Sequence, residues 1–283
     1  MTTEWKDALD HADVQMLVDL ALREDIGAGD VTTQAIFRAP QRVQAKVVAR
    51  TSTVVCGGPL ALSILRRFDP HAEVTALADE GTAVPAGSTI FTIDCDVRAL
   101  LTAERTLLNF LMRLCGVAAN AHRATSLVPP GSTARIYDTR KTLPAWRQLD
   151  KLAVRIGGGS NHRIGLFDAV LIKDNHIAAA GSITKAVAAA RAWRKLPVEV
   201  EVDSLAQLDE ALVAKADIIL LDNFSLADIQ TAVARVGGKA ELEVSGGVTY
   251  ERIPELAATG VQRISMGALT HTVTPADLGL DMP

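Results

Sequence analysis

From residue 134 onward, short apolar runs alternate with helical segments, and this alternation constrains the fold more than any other feature of the chain. It is the pattern of parallel strands joined by crossover helices, because a strand that must return parallel to its neighbour needs a connection of a dozen or more residues. Six strands are expected, at residues 134–137, 169–172, 198–202, 218–221, 242–244 and 263–265. The last four follow one another at roughly the spacing of one βα unit. A closed eight-stranded barrel of this type usually takes about 250 residues. Far fewer follow residue 134, so an incomplete barrel, or one that borrows its closure from elsewhere, is expected.

The part before residue 134 has a different rhythm. A helix is expected over residues 14–23, then a turn-rich stretch over 24–30, β-branched alternation at 43–49, strand-like pieces near 53–56 and 88–93, and a long apolar-periodic helix over 98–114. With 283 residues and 48% apolar content, the chain can bury one large or two ordinary cores. The formal charge of −4, from 29 basic and 33 acidic residues mixed along the chain, predicts no broad nucleic-acid or membrane-binding face. Cys56, Cys95 and Cys115 lie far apart without a C-x-x-C pair, which argues against a thiolate zinc site or a disulfide framework. The polar start, Met-Thr-Thr-Glu-Trp, and the lack of any apolar run of about 18 residues lead to an expected cytoplasmic location.

In a parallel barrel the active site is built at the carboxyl ends of the strands, and here those ends are chemically loaded. They read Asp138-Thr139-Arg140-Lys141, Lys173-Asp174, Glu201-Val202-Asp203, Asp222-Asn223, Ser245-Gly246-Gly247 and Met266-Gly267-Ala268. Arg140, Lys141, Arg163 and Lys173, with His162, converge on one rim if the barrel is right, and such a pocket suits a polyanion. Arginine binds carboxylate or phosphate as a planar fork, whereas lysine is a compact point charge, so the mixture suits a ligand carrying both kinds of anion. Any one of these cations alone is read as a solvated surface charge.

Glu201 and Asp222, at successive strand ends, could together hold a hard divalent cation such as Mg²⁺ or face a developing positive charge. Helix capping or an ion pair competes with this reading, above all for Asp222 before the helix that follows Ser225. The glycines after Ser245 and Met266 allow backbone N–H groups to cradle a phosphate, although a Ser-Gly-Gly also makes an ordinary turn. On the 98–114 helix, Arg105 has Leu101, Leu108 and Met112 at i−4, i+3 and i+7, which predicts a charge projecting from a buried apolar face. Its anionic partner could be a ligand or a core carboxylate. Together these residues suggest an enzyme for a small, multiply anionic, phosphate-bearing substrate that uses a divalent metal.

The same residues resemble the type II phosphoribosyltransferases that act on quinolinate, the carboxylating nicotinate-nucleotide pyrophosphorylases. The likeness covers nearly the whole chain. It includes the Glu24-Asp-Ile-Gly-Ala-Gly-Asp-Val-Thr-Thr stretch, Glu104-Arg-Thr, Asp138-Thr-Arg-Lys-Thr, Gly157-Gly-Gly-Ser-Asn-His-Arg, Leu171-Ile-Lys-Asp-Asn-His-Ile, Glu199-Val-Glu-Val-Asp, Leu221-Asp-Asn, Leu242-Glu-Val-Ser-Gly-Gly and Gly267-Ala-Leu-Thr-His. It departs from the family at Ala145, where glycine is expected, and at Trp146 after it. These put the shape of that loop in doubt, not the reaction.

The resemblance implies an α/β protein, with an N-terminal α/β sandwich-like domain over residues 1–115, rejoined by the last few C-terminal residues, and an open barrel of about seven strands over 116–283. It implies transfer of the phosphoribosyl group of phosphoribosyl pyrophosphate to quinolinate with loss of carbon dioxide, giving nicotinate mononucleotide for NAD biosynthesis. It further implies a homodimer whose sites are shared, Arg105 reaching across from the neighbouring subunit. Arg105, Thr139, Arg140, His162, Arg163 and Lys173 would then surround quinolinate, and Lys141, Glu201 and Asp222 would handle phosphoribosyl pyrophosphate and its Mg²⁺. Ser245, Gly246, Gly247, Met266, Gly267 and Ala268 would take the 5′-phosphate. Three other readings compete: the molybdate-transport-associated relative of the same fold, a Schiff-base aldolase with Lys173 as nucleophile, and a catalytically silent binding protein that keeps the fold.

Overall fold

The computed structural model describes residues 2–193 and 195–282. Its strands are β1 (Arg42–Ala49), β2 (Thr53–Val54), β3 (Glu73–Ala76), β4 (Ala83–Val84), β5 (Thr89–Asp96), β6 (Arg135–Tyr137), β7 (Val170–Ile172), β8 (Val198–Val202), β9 (Ile218–Asp222), β10 (Glu241–Ser245), β11 (Arg263–Ser265) and β12 (Leu278–Asp281). The chain divides into two compact units. One comprises Met1–His122, Thr142–Gly158 and Leu269–Pro283, and the other Arg123–Lys141 and Gly159–Ala268.

The first unit carries a four-stranded antiparallel sheet in the order β12-β1-β5-β3, so a C-terminal strand pairs with the first strand of the sheet. The alternation in β5 buries Phe91, Ile93 and Cys95, and Ile90 is buried beside them. The helix Val97–Ser126 is far longer than the 98–114 expected, because Ala118, Ala121 and Ala124 extend its buried stripe past Leu107, Leu111 and Leu114. The first helix pattern also runs on, as Ala12–Ile26, ending at Gly27 with φ of 53°. The expected turn at residues 24–30 therefore begins only after Ile26, since glycine supplies the helix stop. Ala145 is itself left-handed, with φ of 64°, so alanine stands where the backbone favours glycine.

The second unit carries a six-stranded sheet in the order β6-β11-β10-β9-β8-β7, parallel throughout. All six strands expected from the sequence are present. On the free edge of β6, Tyr137 forms a single parallel bridge to Ser160, a one-residue seventh position. The sheet is not closed: no described residues pair the Ser160 segment with β7. Val198, Val200 and Val202 are buried on one face of β8, and Glu199 and Glu201 lie on the other.

Candidate active site

The parallel register fixes which strand ends are neighbours. Ser245 is paired with Asp222 across β10 and β9. Ile172 is level with Val200, so Lys173 and Glu201 follow at one height, and the Lys173 Nζ ion-pairs with the Glu201 carboxylate. A cavity of about 330 Å³ opens beside them, lined by Asp174, Glu201, Asp203 and Asp222. Helix capping does not explain the acids here. Ser225 caps the helix Leu226–Val236, accepting from the Asp228 N–H at 3.2 Å, and Ser204 caps the helix Leu205–Val213. Asp222 accepts instead from Asn223 Nδ2 at 2.9 Å and remains at the cavity wall.

The cations are gathered by a carboxylate that sequence reasoning gave no role. Asp138, fully buried at the end of β6, accepts the His162 N–H at 2.8 Å and Asn161 Nδ2 at 2.6 Å, while its own N–H donates to the Ser160 carbonyl at 3.0 Å. These bonds tie the segment bearing Arg163 to the one bearing Arg140. Burial, and then the positive charge of the neighbouring Arg140, hold the Arg163 guanidinium below its ordinary pKa. Arg163 is otherwise anchored only weakly, at 3.5 Å from the Ala169 carbonyl, and Arg140 makes no hydrogen bond or ion pair with another described residue. Two guanidinium groups thus belong to neighbouring segments, each with little or no anchoring of its own. Lys141 is exposed beside them, its N–H donating to Thr139 Oγ1 at 3.1 Å.

His162 belongs to this segment but turns inward. Its Nε2 lies 2.9 Å from Glu199 Oε2 and 3.6 Å from Glu243 Oε1. Its Nδ1 accepts the Arg163 N–H at 2.8 Å. Glu243 is fully buried, bonded to Ser265 Oγ and to the Arg263 guanidinium, whose Cζ sits 4.0 Å over the Tyr137 ring. Burial lowers the His162 pKa, but Glu199 and then Glu243 outweigh it and the net shift is upward. Burial and Glu199 likewise push Glu243 up, against His162 and Arg263.

At the next strand ends, Gly246 and Gly247 have φ of 89° and 56°. A Cβ on Gly246 would stand 2.2 Å from Asn223 Oδ1, so only glycine lets the two loops approach. Gly267 and Ala268 follow Met266, which donates its N–H to the Tyr137 carbonyl at 2.9 Å. Arg105 lies in the other unit and differs from expectation: it is exposed, and it makes no ion pair with a described residue. The buried arc of its helix runs through Ala103, Leu107, Phe110 and Leu111, which leaves Leu101, Arg105, Asn109 and Met112 along its open edge. Lys173, ion-paired with Glu201 and partly exposed, lacks the apolar enclosure that a Schiff-base nucleophile needs.

Two family models match the chain: the quinolinate phosphoribosyl transferase N-terminal domain over residues 30–115 and its C-terminal domain over residues 117–281. A nicotinate-nucleotide pyrophosphorylase (carboxylating) of Mycobacterium leprae is 44% identical over 270 residues, covering 93% of this chain and 94% of that protein. A probable nicotinate-nucleotide pyrophosphorylase (carboxylating) of Bacillus subtilis is 37% identical over 276 residues, covering 97% and 95%. Among solved structures, the nicotinate-nucleotide pyrophosphorylase of Francisella tularensis superposes with a TM-score of 0.91 at 43% identity, covering 96% of each chain. By sequence over nearly its whole length and by fold, the chain belongs to the quinolinate phosphoribosyl transferase family.

Proposed function

We infer that the chain transfers the phosphoribosyl group of phosphoribosyl pyrophosphate to quinolinate, releasing pyrophosphate and carbon dioxide and leaving nicotinate mononucleotide, a reaction of NAD biosynthesis. The observation that carries this is the pair of cationic segments that Asp138 ties together, bearing Arg140 and Arg163, at strand ends that also carry an acid-lined cavity. A dicarboxylate neutralises the first, and a metal–pyrophosphate suits the second. The hard oxygen donors of Glu201 and Asp222 fit Mg²⁺, which when bound would neutralise charge on the departing pyrophosphate.

Arg140, Arg163 and Lys173, with Thr139 and His162 close by, hold quinolinate so that its ring nitrogen faces the ribose C1. Lys141 meets the pyrophosphate, and the backbone of Ser245, Gly246, Gly247, Met266, Gly267 and Ala268 receives the 5′-phosphate. As the C1–O bond to pyrophosphate breaks with its electron pair, positive charge grows on the ribose, and Glu201 and Asp222 stabilise it. The pyridine nitrogen then bonds to C1. The quaternised ring withdraws electrons, the adjacent carboxylate leaves as carbon dioxide, and the carbon left behind takes up a proton. Positioning supplies most of the rate because the protein forms no bond to substrate.

The assay follows carbon dioxide release with quinolinate, phosphoribosyl pyrophosphate and Mg²⁺. Nicotinate, lacking one carboxylate, should react at least about a thousandfold more slowly, since it leaves a site cation unpaired. Comparable turnover of both sinks the assignment. We further propose a homodimer in which the exposed Arg105 completes its neighbour's pocket. Arg105→Ala and Lys141→Ala homodimers should each be nearly inactive. An equal mixture, unfolded and refolded together, gives about half mixed dimers with one good site of two, hence roughly a quarter of wild-type activity. No recovery, with heterodimers verified by mass spectrometry, removes Arg105 from the shared site.

A further inference from the structure

The buried group beneath the cations has no part in the reaction as described above, yet it touches the site through one bond. Glu199 is nearly fully buried, its Oε2 takes the His162 Nε2, and its Oε1 has no partner among the described residues. The opposite ring nitrogen accepts the backbone N–H of Arg163. Both contacts can exist together only in the Nε2–H tautomer, which Glu199 selects by accepting that proton's hydrogen bond. Glu243 lies farther from the same ring nitrogen, at 3.6 Å, and its two oxygens are held by Ser265 and Arg263.

We propose that Glu199 is a positioning residue for the substrate carboxylates: through the tautomer and orientation of His162 it fixes the backbone of Arg163, and so the spacing of Arg163 from Arg140. This rests on the reading of those arginines as the carboxylate clamp. One imidazole and two carboxylates, with ligand atoms all within 4.8 Å, could also suit a transition-metal ion. The contacts speak against it. Glu243 has both oxygens engaged, and the 2.9 Å between His162 and Glu199 is a hydrogen bond that a metal would have to open.

The test compares Glu199→Ala with Glu199→Gln, whose amide oxygen still accepts from His162. In Glu199→Ala the KM for quinolinate should rise about tenfold, while the KM for phosphoribosyl pyrophosphate stays within about twofold, and Glu199→Gln should restore most of the loss. A merely structural Glu199 would lower activity without this split and without rescue, and that result overturns the proposal. Calorimetric binding of benzene-1,2-dicarboxylate, which needs no turnover, gives a second readout and should weaken in Glu199→Ala by the same factor. If Glu199→Ala does not fold, Glu199→Met, which fills the space but offers no oxygen to His162, is measured in its place against the same expectation. Unchanged dicarboxylate binding in a folded variant refutes the positioning role while leaving the reaction intact, whereas wild type that neither binds the dicarboxylate nor releases carbon dioxide refutes the functional reading itself. An equimolar transition metal retained by wild type and lost in Glu199→Ala overturns the proposal in favour of a metal centre.

Discussion

Glu199 and Glu201 stand two residues apart on β8 and on the same face, so about 6.6 Å of strand separates two carboxylates aimed at the same interior. Each meets a cation-forming side chain, but on different terms. Glu201, with its side chain 19% exposed, pairs with a Lys173 that is 43% exposed, whereas Glu199, at 4%, meets a His162 at 8%. At the mouth the pair is a partly exposed contact, which in the proposed reaction substrate and metal would replace. One pleat down, the partners belong to a hydrogen-bonded set that includes Glu243, Arg263 and Ser265. The expected division is that the floor carries stability and geometry and the mouth carries the proposed chemistry. A charged strand can serve both ends because depth along it sets how much each charge costs to leave unpaired.

The largest effect that could break this contrast is on stability. Arg263→Ala removes the cation from the fully buried Glu243 and strips the stack on Tyr137. It should cost about 3–5 kcal/mol, as removal of one member of a buried pair does. Glu201→Gln, at the mouth, should change stability by less than about 1 kcal/mol and yet leave almost no activity. Urea unfolding and the carbon dioxide assay on both variants check this. Equal unfolding midpoints would mean that depth does not divide the two layers.

A smaller effect sharpens the mouth alone. Arg140 and Lys141 are consecutive, but Arg140 is half-buried, with its charge felt at Arg163, and Lys141 is exposed. Arg140→Lys keeps charge and loses the fork, so it should raise the quinolinate KM by about tenfold. Lys141→Ala should act instead on phosphoribosyl pyrophosphate or on kcat. Steady-state kinetics with each substrate varied separates them, and identical changes in both variants would erase the division.

The legible parts of the molecule are those with a period. All six strands of the parallel sheet lie where apolar runs sit between helical segments, and the polar residues at their ends were readable because they interrupt the apolar pattern. The floor was not read, although Glu199 and Glu243 leave a signal: an acid inside an otherwise apolar parallel strand has to be buried with a partner. The partner's identity is a tertiary matter, since His162 and Arg263 are 37 and 20 residues away in sequence. Asp138 stood in plain view in Asp138-Thr-Arg-Lys but looked like one more mouth charge. Only the bridge to Ser160 makes it a tie between segments. Arg105 misled because three apolar neighbours define less than a full helix face, and Leu101 and Met112 are only half-buried.

The smallest expected effect tests whether floor and mouth want the same proton. The net upward shift of the His162 pKa means that the folded protein binds a proton there more tightly than the unfolded chain. The resulting stability is fully present below the unfolded pKa, about 6.5, and is lost as pH rises through the folded value. The groups that set it are Glu199 on β8 and Glu243 on β10, opposed by Arg263 on β11 and by burial. The mouth prefers the reverse, because a protonated Nδ1 cannot accept the Arg163 N–H. As pH falls through this window, wild type should gain urea resistance relative to His162→Gln while its quinolinate KM climbs a few-fold. In Glu199→Gln, where a neutral amide no longer favours the imidazolium, the midpoint of the KM change should move to lower pH. If stability and quinolinate affinity rise together on acidification, or if the midpoint stays fixed in Glu199→Gln, His162 does not couple the floor to the mouth.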